Sequence, residues 1–216
     1  MYELFLRSLP LLKQAVLTTL TLGISSFILG SLLGMGVALM RNSSLRILRV
    51  IAFCYVSVFR GTPLLVQILL VYFGLPRLGI ALPPVPSALV ALTLFSASYL
   101  SENFRSGINS VDKGQWEAAA SMGMGYWRCL IRIIWPQAFR IALPPLGSRL
   151  IALMKDTSLA STVTVMELTR VAEQVGAMTF RYMEMFLMVG MIYWVINQIL
   201  TILQTWLEGY LTRYMQ

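Results

Sequence analysis

Four ionisable side chains lie inside otherwise apolar runs of this chain: Arg60, Glu102, Lys155 and Asp156. A charge held in lipid is costly, so each needs a partner or a task. Counted at 1.5 Å per residue from the expected cytoplasmic ends of their runs, Arg60 and Glu102 lie about 10–13 Å deep. An Arg60–Glu102 ion pair is therefore expected. Lys155 and Asp156 fall roughly 15 Å in, near the midplane, followed by the hydroxyls of Thr157 and Ser158. Two readings stay open. Lys155 and Asp156 neutralise each other and pin their helix to a neighbour, or they face a polar solute bearing charges of both signs. Arg149 precedes Asp156 by seven residues and shares a helix face with it.

The chemistry these residues exclude is as informative. The chain has no His, so His-based catalysis and His-based metal sites are ruled out. No Gly-rich phosphate loop, metal-ligand cluster or nucleophile with its base is present, so the chain is expected to be no enzyme and to bind no cofactor itself. Cys54 and Cys129 read as apolar or membrane-edge thiols rather than a disulfide. The thirteen methionines do not cluster in metal-binding repeats and read as packing.

The elements that must position the charges are membrane-spanning helices. Of 216 residues, 57% are hydrophobic and only 12% charged, about half the charged fraction of a soluble domain. Five spans are expected, over about Leu11–Met40, Ile51–Phe73, Ser87–Ile108, Pro144–Val163 and Met185–Leu207. The first run is too long for a removable signal peptide and lacks a cleavage site. Gly30-x-x-x-Gly34 within it would permit close helix approach. GLPRLGIALPPVPS reads as a loop. The aromatic residues Tyr72, Phe73, Tyr193, Trp194 and Trp206 suit span ends and lipid faces.

The net charge of +8 reflects arginines beside the spans rather than affinity for nucleic acid. Arg41, Arg46 and Arg49 mark the first loop, and Arg105, Lys113, Arg128, Arg132 and Arg140 the third. Both are expected to be cytoplasmic, with the N-terminus outside and the C-terminus, with Arg213, inside. Arg7, Lys13, Arg170 and Arg181 run against that asymmetry. The chain is thus expected to be all-α, polytopic and a single transmembrane domain over 1–216.

One stretch is too polar for a span and too helix-prone for a connector. QWEAAASMG, residues 115–123, should form a short helix that Asp112 caps, with Gln115 at the third position, and that ends near Gly123. YWRCLIRIIWPQAF follows as a second amphipathic piece. Glu117-Ala118-Ala119, Gly123 and Ile133-x-Trp135-Pro136 match the EAA motif of ABC importer permeases, with Trp135 where the motif has Leu. FRGTPLLVQILLVYFGLP (59–76), SYLSENFRSGINSVDKGQWEAA (98–119) and PPLGSRLIALMKDTSLAS (144–161) resemble the permeases for polar amino acids of the histidine, glutamine and arginine class. PPVPSAL and VDKGQWEAAASMGM are most similar to L-cystine permeases. The resemblance covers nearly the whole chain.

That resemblance implies a type I ABC importer permease fold with a cytoplasmic coupling loop at about 110–140. Gln115, Trp116, Glu117, Ala118, Ala119 and Gly123 would dock on an ATPase dimer that carries the ATP and Mg. A second permease protomer, identical or homologous, and an extracytoplasmic substrate-binding protein would complete the assembly in a bacterial inner membrane. The substrate would be a polar amino acid, with cystine a candidate. Its ammonium would meet Asp156. Its carboxylate would meet Arg60, Lys155 or backbone N–H groups. The resemblance adds Gly61, Thr62, Tyr99, Glu102, Ser148, Thr157 and Ser158 to the pathway. Ser148 and Phe95 depart from the relatives, which usually have Asn and often a polar residue there. An ion-coupled secondary transporter and a non-transporting scaffold are the alternatives.

Overall fold

The computed structural model describes residues 2–212, so Arg213 lies outside the described residues. Among these, every regular element is helical. The first, α1, runs unbroken from Tyr2 to Arg41. Then come α2 (Arg46–Gly61), α3 (Leu64–Leu69, prolonged by π and 3-10 turns to Leu78) and α4 (Pro84–Asn109). A short α5 (Lys113–Ser121) and α6 (Tyr126–Cys129) follow; α6 passes through a π turn into α7 (Trp135–Asp156). A 3-10 segment, Thr157–Val163, leads to α8 (Leu168–Thr179) and α9 (Tyr182–Thr212).

Three of these helices, α1, α4 and α9, are each long and apolar enough to cross a membrane. The expected second span is not one straight helix. It breaks into α2 and the segment from Leu64 to Leu78, bent by 106°. The sequence Gly61-Thr62-Pro63 is the cause. Proline supplies no backbone donor and pushes the residue before it out of the helical region, and Thr62 is extended at φ −118°, ψ 147°. Two of the carbonyls at the break are taken by a side chain. The buried Gln67 amide nitrogen lies 3.0 Å from the Phe59 carbonyl, 3.2 Å from that of Thr62 and 2.8 Å from the Thr62 hydroxyl. The fourth expected span is carried by α7. Its arginines, Lys155, Asp156 and three prolines leave it short of the apolarity of the other three.

The bundle is organised on α1 and α4, which pack together more extensively than any other pair of helices. Gly34 makes that approach possible. A Cβ there would stand 2.9 Å from the Ala97 carbonyl oxygen and 3.0 Å from the Ser101 nitrogen, inside contact distance. The other side of α4 packs against α7, and α7 against α9. At the end of the bundle holding the start of α1, the region expected to be a loop after Val163 contains α8. Leu168, Val171, Ala172 and Val175 recur at helical spacing and bury against Leu12, Ala15, Met185 and Val189. The fully buried Glu167 fixes the start of α8. Its carboxylate accepts the Thr169 and Arg170 backbone N–H groups at 2.9 and 2.7 Å and the Tyr193 hydroxyl at 2.7 Å.

Candidate functional site

Two sites emerge at different levels of the bundle. The first is the loop end, where the α1–α2 connection meets α5 and α6 around a groove of about 430 Å³ lined by Asn42, Asn109, Lys113, Trp116 and Tyr126. The two Arg-rich loops therefore share one end. The Asp112 carboxylate accepts the Gly114 N–H at 2.7 Å, starting α5 one residue nearer than Gln115, whose own N–H bonds the Asp112 carbonyl at 3.1 Å. The helix closes where Gly123 adopts φ +72°, with its N–H on Ala120 and that of Met124 on Ala119.

Within Glu117-Ala118-Ala119 the three residues face opposite ways. Ala119 is buried among Ile108, Val111, Cys129, Leu130 and Ile134, whereas Gln115, Glu117, Ala118 and Met122 are exposed. Trp116 stacks on Tyr126, with ring centroids 5.5 Å apart and planes 18° apart, and so ties α5 to α6. Partial burial, and to a smaller extent Cys129, raises the Tyr126 phenol above its ordinary pKa. The result is a short helix anchored on its inner face, with a small polar outer face that a partner could contact.

The second site is a chain of charges and rings across α1, α2, α4 and α7. The Arg149 guanidinium donates to the Asp156 carboxylate at 3.0 Å, as the seven-residue spacing on one helix face allows. Asp156 thus pairs with Arg149 rather than with Lys155, whose residue is exposed. Arg149 also lies over the rings of Phe95 and Tyr99, at 5.0 and 4.8 Å from their centroids. Arg60 lies 5.0 Å from the same Tyr99 ring. The expected Arg60–Glu102 pair is replaced. The carboxylate of Glu102 is held by Arg41, at the end of α1, and by Arg105 one turn on, at 2.8 Å. The physical reason is reach. Arg105 shares a helix with Glu102, and α1 packs directly on α4, while Arg60 stacks on Tyr99 instead. Arg41, Ser57, Arg60, Gly61, Tyr99 and Glu102 line one groove of about 480 Å³.

The remaining expected pathway residues do not join this cluster by direct contact. The Thr62 hydroxyl donates to the Val58 carbonyl at 2.8 Å. Thr157 is buried, donates to the Met154 carbonyl at 2.7 Å, and its methyl faces Gly23 of α1. Ser158 donates to the Lys155 carbonyl at 2.7 Å. Ser148 meets α9, where the Gln204 amide donates to it at 3.4 Å and to the Pro144 carbonyl at 3.1 Å. Arg41, read from the sequence as a loop arginine, is a member that sequence reasoning did not place in the site; its signal is positional, since it closes the helix that Gly34 marks.

Among the described residues, no three His, Cys, Asp or Glu side chains converge as a metal site. The two cysteines are free thiols, Cys54 exposed and Cys129 buried.

Comparison with known proteins agrees with this architecture. Residues 26–213 match the family described as binding-protein-dependent transport system inner membrane component. A probable amino-acid ABC transporter permease of Bacillus subtilis, YckA, is 42% identical over 212 residues, covering 98% of this chain and 94% of that protein. The L-cystine transport system permease TcyB of the same organism is 43% identical over 206 residues, covering 95% and 88%. An amino acid ABC transporter whose crystal structure was determined with histidines superposes with a TM-score of 0.90 at 35% identity, covering 95% of this chain and 96% of that one. With its helical bundle, its broken second span and an α5 anchored on its inner face, the chain belongs to the family of inner-membrane components of binding-protein-dependent transport systems.

Proposed function

We propose that this chain is the permease subunit of an ATP-driven, binding-protein-dependent importer of polar amino acids, working by alternating access in a bacterial inner membrane. The observation that carries the reading is a continuous path. The exposed Glu117–Ala118 face of α5 is backed by Ala119 against Cys129, Leu130 and Ile134, and that segment runs straight into α7, which carries Arg149 and Asp156. A push on α5 is therefore delivered to the helix that holds the charges. The partner that pushes is a pair of ATPase subunits, which supply the ATP and Mg site; α5 seats in a groove on them.

The N-terminus and α8 then face outward, where a binding protein delivers substrate, and the C-terminus is cytoplasmic. A second permease protomer, identical or homologous, covers the other side of the pathway. Asp156 meets the substrate ammonium. Arg149 and Arg60 supply the donors for its carboxylate, the role first given to Arg60, Lys155 or the backbone. L-cystine is a candidate substrate, given the likeness to TcyB.

The test is uptake by proteoliposomes holding this chain, its ATPase subunit and its binding protein, with ATP inside. ATP-dependent uptake of a labelled amino acid is the expected result. Uptake that collapses with an uncoupler while ATP persists would point to ion coupling and overturn the reading.

A further inference from the structure

The charges around Tyr99 do not balance, and the imbalance says what the substrate carries. Four guanidiniums, those of Arg41, Arg60, Arg105 and Arg149, meet two carboxylates. Glu102 is shared between Arg41 and Arg105, and Asp156 is taken by Arg149. No carboxylate among the described residues pairs with Arg60, which is exposed and rests only on the Tyr99 ring. Arg149 is largely buried, yet its Nε is shut off from solvent with no acceptor. Arg60 lines the groove with its guanidinium open and no protein carboxylate on it, so an acceptor is expected to arrive with the ligand.

We propose that the substrate brings two carboxylates, one to Arg60 and one to the Arg149–Asp156 end, and that cationic amino acids are rejected; this rests on the importer reading above. Arg60 and Arg149 approach the same ring at 5.0 and 4.8 Å, so their guanidinium carbons are no more than about 10 Å apart. That separation fits a dicarboxylic amino acid or two amino acid units joined through their side chains. Each carboxylate can take a forked contact from a guanidinium. An ammonium on the substrate has Asp156 to meet. A second cation that brings no carboxylate of its own, as in arginine, would face Arg60 with no substrate anion to offset it.

The experiment uses the complete reconstituted complex and labelled uptake of the twenty standard L-amino acids and L-cystine. Cystine, glutamate or aspartate should be carried fastest, at about tenfold or more the rate of glutamine and arginine. At saturating binding protein, Arg60→Gln should cut the turnover of that substrate about tenfold, while the complex assembles in normal yield. Arg60→Lys, which keeps the charge, should retain more transport than Arg60→Gln, a distinction that a purely structural role would not produce. A monocarboxylic amino acid carried fastest, or an Arg60→Gln complex equal to the native one, would overturn the proposal while leaving the importer standing. ATP-dependent uptake of none of the panel would instead remove the importer reading on which it rests.

Discussion

The loop end and the charged interior are built on opposite principles. At the loop end, the start, the close and the aromatic tie of α5 all lie within a few residues of it: Asp112 at its start, Gly123 at its close, and Tyr126 stacked on Trp116. In the interior, Tyr99, Arg60, Arg149 and Glu102 come from three helices, and Arg41 from a fourth. A local element has its geometry fixed by caps and spacing. A distributed cluster has its geometry fixed by how helices pack. The loop end should therefore tolerate surface change and fail only in docking, whereas the interior should fail wherever one charge is left without its partner.

The largest expected effect is in the interior. Asp156→Asn leaves Arg149 largely buried without its carboxylate, and breaking a buried pair costs about 3–5 kcal/mol. Asp156 keeps 28% of its side-chain exposure, so a loss on the order of 2 kcal/mol is expected, read as a lower melting temperature of the complex. Uptake should fall about thirtyfold or more. Unchanged uptake and melting would show the pair to be dispensable and the contrast between the two regions false.

Next comes a matched pair on α5. Ala119→Leu forces a larger side chain into the cluster of Ile108, Cys129 and Ile134 and should cost about 1–3 kcal/mol. Ala118→Leu, one residue earlier but exposed, should stay within about 0.5 kcal/mol and weaken only the association with the ATPase. Equal thermal shifts in the two variants would mean that α5 is not anchored on one face.

Glu117→Lys is smaller again. It should leave the melting temperature unmoved and weaken ATPase docking by about tenfold, measured as co-purification at graded salt. Normal complex yield together with normal substrate-stimulated ATP hydrolysis would count against the docking role.

The smallest effect sharpens the pairing itself. A double-mutant cycle on the melting temperature should give Glu102 and Arg41 a coupling of about 1 kcal/mol, and Glu102 and Arg60 a coupling near zero. The reverse ranking would restore the pair that the sequence alone suggests.

The sequence was a sound guide wherever the relevant contacts are short in range. The α5 cap, the Gly123 stop and the shared face of Arg149 and Asp156 all follow from spacing along one helix. The tight approach at Gly34 was legible only as an allowance, since nothing in the sequence says that α4 is the helix that comes close. The partner of Glu102 was misread because depth along a span does not say which side of a helix a charge occupies. The Thr62–Pro63 break carried a plain local signal that an apolar run masked. The α8 helix hid for a related reason: a twelve-residue amphipathic segment between two spans reads as a connector until the fold buries it.

The Gln67 amide has a mechanical meaning. Its nitrogen reaches acceptors contributed by both Phe59 and Thr62, while its backbone belongs to the helix beyond the bend. Opening or closing the elbow would stretch all three contacts at once. The corner therefore behaves as a braced bracket rather than a joint. A displacement imposed at the start of α2 would be passed around the bend toward Leu78 rather than absorbed at Thr62.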